Sequence, residues 1–221
     1  FGMTATTTDK PCPDVLEDLL VGSGPRLADV RVINGGIPGA SVASCRDRIQ
    51  SWKPLHPRVV VFLEGINYLP AGMWGRSAPR NSAIASWWDS FRVRRQAHRV
   101  IAGYTGEEYR QHLIKLLDTI EAVPAVPVLA TFAMPYSSGA DHRTLRYWDV
   151  MQNGHGSAYA AARLVEIHNS VVRWVARERG VPLVDLASKL TGQEDYFIDT
   201  CHFTQEGRVL VAATLAPVVV E

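Results

Sequence analysis

Apolar residues recur along the chain in two alternating patterns, which divide it into helices and strands. Pro13 to Leu20 places Val15, Leu16, Leu19 and Leu20 at helical spacing, with Pro13 in the first turn, where its missing N–H costs nothing. Val30-Arg31-Val32-Ile33-Asn34 reads as a strand running into a glycine-rich turn, Gly35 to Ser41, and a helix is predicted from there to about Trp52. Val59-Val60-Val61-Phe62-Leu63 is an unbroken apolar run of strand length, as expected where helices cover both faces of a sheet. Val126 to Thr131 and Pro182 to Leu186 are two further short strands, with helices around Glu107 to Ile120 and Ser157 to Arg179 and a long loop from Phe132 to Ser157. The last helix carries Val209, Leu210, Val211, Ala212 and Leu215, with Thr204 as its N-cap and Glu206 in its first turn.

Strands alternating with helices imply a parallel sheet between two helical layers. A chain of 221 residues suits one well-buried domain, and no repeat or linker divides it. In such a sheet ligands bind beyond the carboxyl ends of the strands. The turns at Gly36 and at Gly65-Ile66-Asn67 both follow strand ends, so topology directs them to one edge. Asp199-Thr200-Cys201-His202, on the loop entering the last helix, is expected at the same edge.

Composition narrows the partners. A formal net charge of +1, with 20% charged residues, argues against general attraction to nucleic acid or acidic membranes. No 18-residue apolar run occurs, so no membrane span is expected. Cys12, Cys45 and Cys201 form neither a disulfide framework nor a zinc pattern, and His142 and His155 lack metal-ligand spacing. Phe1-Gly2-Met3-Thr4 has neither the basic nor the apolar region of a signal peptide. A cytoplasmic location is therefore favoured, although a processed secreted protein would look the same.

The candidate chemistry sits in Asp199-Thr200-Cys201-His202. A histidine oriented by a carboxylate through one ring nitrogen can act as a general base through the other. Alone, an acid three residues before a histidine is more often an ordinary loop. The thiol of Cys201 beside His202 admits a cysteine nucleophile, but adjacent loop residues usually point apart.

With three further fragments, the chain resembles the SGNH, or GDSL-type, esterases. Asn34-Gly35-Gly36-Ile37-Pro38-Gly39 resembles that family's glycine block, Glu64-Gly65-Ile66-Asn67 its Gly-x-Asn block and Asp199-Thr200-Cys201-His202 its Asp-x-x-His block. His168-Asn169 and Gly180 to Asp185 extend the likeness. The opening Phe1-Gly2-Met3-Thr4-Ala5-Thr6 departs from the family's Phe-Gly-Asp-Ser-Thr-Thr type: Thr4 stands where the serine nucleophile is expected, and Met3 where the aspartate is. The resemblance implies a three-layer α/β/α domain over 1–221 with a flavodoxin-like, five-stranded parallel sheet. The first of those strands would precede the given chain.

The resemblance also implies roles. His202 would be the base and Asp199 its partner, with Gly36 and Asn67 as oxyanion donors and Thr4 as the nucleophile. It implies hydrolysis of an O-acyl ester, acetyl included, without metal or cofactor. The same pocket could instead serve acyl transfer or a thioester, or a binding module that lost the serine. Glu64, at a strand end, is a candidate substrate contact or a structural hydrogen-bond acceptor. The segment 71–103 holds Trp74, Trp87, Trp88, Phe91 and several arginines. It reads equally as a lid over the pocket and as an amphipathic helix packing its aromatics into the core. Trp148 and its neighbours are a second candidate wall for the substrate.

Overall fold

The computed structural model describes residues 9–71, 73, 83–151 and 157–220, without the side chains of 83–90, 150 and 151. Thr4, Trp74 and His155 fall outside the described residues.

Three parallel strands, β1 (Val59–Leu63), β2 (Val126–Ala130) and β3 (Leu183–Val184), lie side by side in the order β1-β2-β3. β1 and β2 pair from Val59 opposite Val126 to Leu63 opposite Ala130, and β3 meets β2 with Val184 opposite Ala130. Successive strand side chains point to opposite faces, and the core divides accordingly. Val59, Val61, Leu63, Val128 and Val184 pack with α1 (Cys12–Gly22), the short α7 (Leu186–Leu190) and α8 (Gln205–Val220). Val60, Phe62, Leu129 and Leu183 pack with α2 (Val42–Ile49), α4 (Glu107–Glu121) and α6 (Ala158–Arg179). This is the three-layer arrangement the sequence predicts, with three of the five expected strands present among the described residues.

Three local expectations differ. Residues 30–34 form no strand. Val30 and Val32 pack on the α1–α8 core while Ile33 is 63% exposed, so the alternation is real. A ladder needs a neighbouring strand, however, and the Val32 N–H instead donates to Glu17 Oε2 at 2.6 Å. The supposed loop 132–157 contains α5 (His142–Met151), started by Asp141, whose Oδ1 accepts the N–H groups of Arg143 and Thr144. α3 (Ala83–Gly103) occupies most of the segment 71–103. Its second half is amphipathic: Ala97 and Ile101 pack against Ala160 and Leu164 of α6, with Arg95 and Arg99 exposed. Phe91 is exposed rather than in the core.

The loop before α8 is closed by its own backbone. Phe197 and Phe203 form an antiparallel bridge with their rings 4.8 Å apart, and the Ile198 N–H donates to the His202 carbonyl at 2.8 Å. Thr204 caps α8 as predicted, its Oγ1 accepting the Gly207 N–H at 3.2 Å. Gly207 allows this closure, because a Cβ there would stand 2.3 Å from the Tyr196 carbonyl oxygen. Gly207→Ala is expected to push α8 away from the loop and cost about 2 kcal/mol, as overpacking does. Urea denaturation measures this, and an unchanged midpoint would contradict it.

Candidate functional site

Asp199 and His202 meet inside the closed loop. Asp199 Oδ1 accepts the backbone N–H groups of Cys201 and His202, both at 2.8 Å, and its Oδ2 lies 2.6 Å from His202 Nδ1. Because a carboxylate only accepts, the imidazole carries its proton on Nδ1, leaving the Nε2 lone pair as a base. Burial pushes the Asp199 carboxyl up, but the Cys201 N–H, the His202 ring and the His202 N–H outweigh it and hold it below the usual carboxylate range. The acid therefore stays ionised beside the ring.

His202 opens onto a cavity of about 110 Å³ at the carboxyl ends of the strands. Gly36, Asn67, Glu64 and Cys201 also line it, with Ile37, Ile66, Phe132 and Arg208. Three fragments, the last more than a hundred residues from the first two, thus meet at one cavity, as their topology predicts. Each proposed oxyanion donor has a partner at rest. The Gly36 N–H donates to Asn34 Oδ1 at 3.0 Å, and Asn67 Nδ2 donates one hydrogen to the Ala40 carbonyl at 3.1 Å. The Asn67 bond to Ala40 ties the Gly-x-Asn turn to the glycine turn. A side-chain amide has two N–H groups, so one hydrogen of Asn67 is not used by Ala40.

Glu64 lines the cavity and also braces its own turn. Its Oε1 accepts the N–H groups of Asn67 and Tyr68 at 2.7 and 3.3 Å, while Oε2 has no partner among the described residues. Burial raises its carboxyl to about 7 against the pull of those backbone N–H groups. Trp148 does not line the cavity; it is 4% exposed and stacks on Tyr136 with centroids 5.3 Å apart.

Cys201 Sγ lies 3.5 Å from His202 Nδ1, on the Asp199 side of the ring and not on the Nε2 side. Burial, with the Asp199 charge, raises its thiol to about 12, so a thiolate does not form at neutral pH. Asp199, Cys201 and His202 offer three ligand atoms within 4.8 Å of one another, the one such group among the described residues. A cation there would have to displace the proton shared by Asp199 and His202, which the base needs.

From the sequence, two buried groups are assigned no role. Arg208 is 2% exposed, with Nη2 on Asp9 Oδ2 at 2.7 Å and Nη1 on the Phe203 carbonyl at 2.9 Å. His168, fully buried in α6, has Nδ1 2.7 Å from the Gly65 carbonyl oxygen and Nε2 2.9 Å from the Tyr104 hydroxyl. Burial lowers its pKa to about 4, against the Gly65 hydrogen bond. A polar pair, His168-Asn169, amid the apolar residues of a long helix was the available signal.

Glu64 and His168 oppose each other in pH dependence. With Glu64 raised from 4.5 to about 7, the unfolded chain releases a proton the folded one keeps as pH rises through that window. Stability then falls, by about 3 kcal/mol in full. With His168 lowered from 6.5 to about 4, the unfolded chain takes up a proton the folded one refuses as pH falls through that window. Stability again falls, by about 3 kcal/mol in full. The two slopes offset each other between about 4.5 and 6.5. Glu64→Gln is expected to make stability rise with pH from 4 to 6.5, and His168→Asn to make it fall from 4.5 to 7. Chemical denaturation at several pH values reads both, and three parallel profiles would contradict the assignment.

Comparison with known proteins identifies the fold and the family. The chain is similar in structure to an α/β hydrolase from the metagenome of Lake Arreo, Spain, with a TM-score of 0.62 and 17% identity over 94% of this chain and 80% of that one. It is similar to an acetylxylan esterase from Geobacillus stearothermophilus, with a TM-score of 0.59 and 16% identity over 99% and 84%. It is also similar to a GDSL-like lipase from Bacteroides thetaiotaomicron, with a TM-score of 0.51 and 15% identity over 82% and 72%. At these identities the likeness shows the fold. No curated protein matches the sequence. The model of the GDSL-like lipase/acylhydrolase family matches residues 1–210, nearly the whole chain, and the protein belongs to that family of SGNH-type esterases.

Proposed function

We propose that the protein hydrolyses small O-acyl esters, with acetylated carbohydrate as the substrate class. Thr4 is the nucleophile, His202 the base and Asp199 its orienting partner, while the Gly36 N–H and the Asn67 amide receive the oxyanion. The observation that carries this reading is the 2.6 Å contact of Asp199 with His202 Nδ1, which leaves Nε2 as an acceptor on a ring that lines the same cavity as Gly36 and Asn67.

His202 Nε2 takes the proton of the attacking hydroxyl as the new C–O bond forms, and the imidazolium is stabilised by Asp199. As the carbonyl oxygen gains charge, the Gly36 N–H exchanges Asn34 Oδ1 for the oxyanion, and an Asn67 hydrogen turns to it. Collapse expels the alcohol, protonated by His202. Water then attacks the acyl-enzyme, giving its proton to His202; collapse releases the carboxylic acid, and the imidazolium returns the proton to Thr4. The β-methyl of threonine crowds the tetrahedral centre and makes this a slower nucleophile than serine.

The substrate class rests on the cavity, about 110 Å³ and lined by Ile37, Ile66 and Phe132, which suits a short acyl group. It is also what the similar acetylxylan esterase is named for. No described helix is long and apolar enough to cross a membrane.

Release of acetate from acetylated xylooligosaccharides and of p-nitrophenol from its acetate ester tests the reading. His202→Ala is expected to lower kcat by about 10²–10⁴, Thr4→Ala to abolish turnover, and Thr4→Ser to raise it. Cys201→Ser retains activity. Rates should fall from acetyl to octanoyl esters. Equal background rates in wild type, His202→Ala and Thr4→Ala would overturn the enzyme reading. Retained activity in Thr4→Ala with loss in Cys201→Ser would move the nucleophile to the thiol.

A further inference from the structure

We propose that His168 is a positioning residue for the oxyanion site: from inside α6 it holds the Gly65 carbonyl and thereby fixes Asn67 at the cavity. This rests on the esterase reading for its catalytic consequence, though not for its structural one.

The hydrogen bonds define the imidazole. The Gly65 carbonyl can only accept, so Nδ1 carries the proton and donates to it at 2.7 Å; neutral Nε2 then accepts from the Tyr104 hydroxyl at 2.9 Å. The ring stacks on Tyr109 with centroids 3.9 Å apart and planes 13° from parallel, and Tyr68 meets it edge-on. Two carboxyl groups act on the tyrosines of this cluster: Glu64, whose backbone carbonyl accepts from the Tyr109 hydroxyl at 3.0 Å, and Glu108, which interacts with Tyr68 and Tyr104.

A residue that only filled this space would be apolar. Burying an imidazole costs desolvation, and its bonds here are with the Tyr104 hydroxyl and the turn that carries Asn67. That turn is held from three sides. Tyr109 takes the Glu64 carbonyl, His168 takes the Gly65 carbonyl, and the Glu64 side chain takes the Asn67 N–H. Gly65 has no room to yield, since a Cβ there would stand 2.7 Å from Phe132 Cβ. The next residue of α6 does the same for the loop after β2: Asn169 Oδ1 accepts the Phe132 N–H and Nδ2 donates to its carbonyl, both at 2.8 Å. One turn of one helix therefore sets the distance between the Asn67 turn and Phe132, which both line the cavity. A displacement of about 1 Å at such a site can cost about 100-fold in rate.

The test compares His168→Leu, His168→Asn and Tyr104→Phe with wild type. Asparagine places an N–H near the Nδ1 position and preserves the bond to Gly65; leucine removes it. Two readouts are taken on each folded variant: amide hydrogen exchange at Asn67 and Tyr68, and kcat and KM for p-nitrophenyl acetate. His168→Leu is expected to speed exchange at both amides and lower kcat by about 10–100-fold with KM little changed. His168→Asn restores most of both, and Tyr104→Phe gives a smaller shift in the same direction. Where His168→Leu does not fold, Tyr104→Phe carries the test. Unchanged exchange at the two amides overturns the proposal, as does a loss of thermal stability with kcat intact. If wild type hydrolyses no ester, the esterase reading fails while the exchange data still decide the role of His168.

Discussion

Parallel strands deliver their last carbonyls and amides to one edge, and the loops leaving that edge must find hydrogen-bond partners without a further strand to supply them. An unpaired buried peptide group costs about 1–3 kcal/mol, so this demand shapes the whole site. Here the partners are side chains from the helical layer: Tyr109, His168 and Asn169, with Glu64 reaching back to its own turn. The Asp199–His202 loop solves the same problem differently, through a backbone bridge at Phe197 and Phe203 and a carboxylate that takes two N–H groups. The cavity exists because these solutions meet without filling the space between them.

The two central histidines share a tautomer and serve opposite ends. Both donate from Nδ1 to an oxygen that can only accept. His168 sits among tyrosines with no ionised partner, stays neutral, and spends its second nitrogen on Tyr104. His202 sits beside an ionised carboxylate, half open to solvent, and in the proposed mechanism its second nitrogen takes the proton of the attacking hydroxyl. Environment separates the proposed clamp from the proposed base.

Much of this was legible from residues. The apolar runs at 59–63 and 126–130, the helix at 107–121 and the Thr204 cap follow from periodicity and turn chemistry, because those signals are local. Residues 30–34 misled because alternation reports a half-buried extended segment, whereas a strand needs a neighbour. α5 was hidden by charged and turn-forming residues, although Asp141 followed by Thr144 is a cap that could have revealed it. The meeting of Gly36, Asn67 and His202 was readable from topology. The burial of Glu64, the Asn34 contact on the Gly36 N–H and the grip of His168 were not, since each depends on which side chains face one another across elements distant in sequence.

The proposed chemistry depends most on where the imidazole protons sit. Nitrogen-15 correlation spectra of the histidine rings, recorded above pH 8 on wild type and on His202→Ala and His168→Asn for assignment, read this directly. The account predicts an Nδ1–H, Nε2-bare pattern for both rings, with the His202 proton shifted far downfield by Asp199 and lost to the normal range in Asp199→Asn. An Nε2–H tautomer at His202 would leave no lone pair for an attacking hydroxyl and would contradict the mechanism.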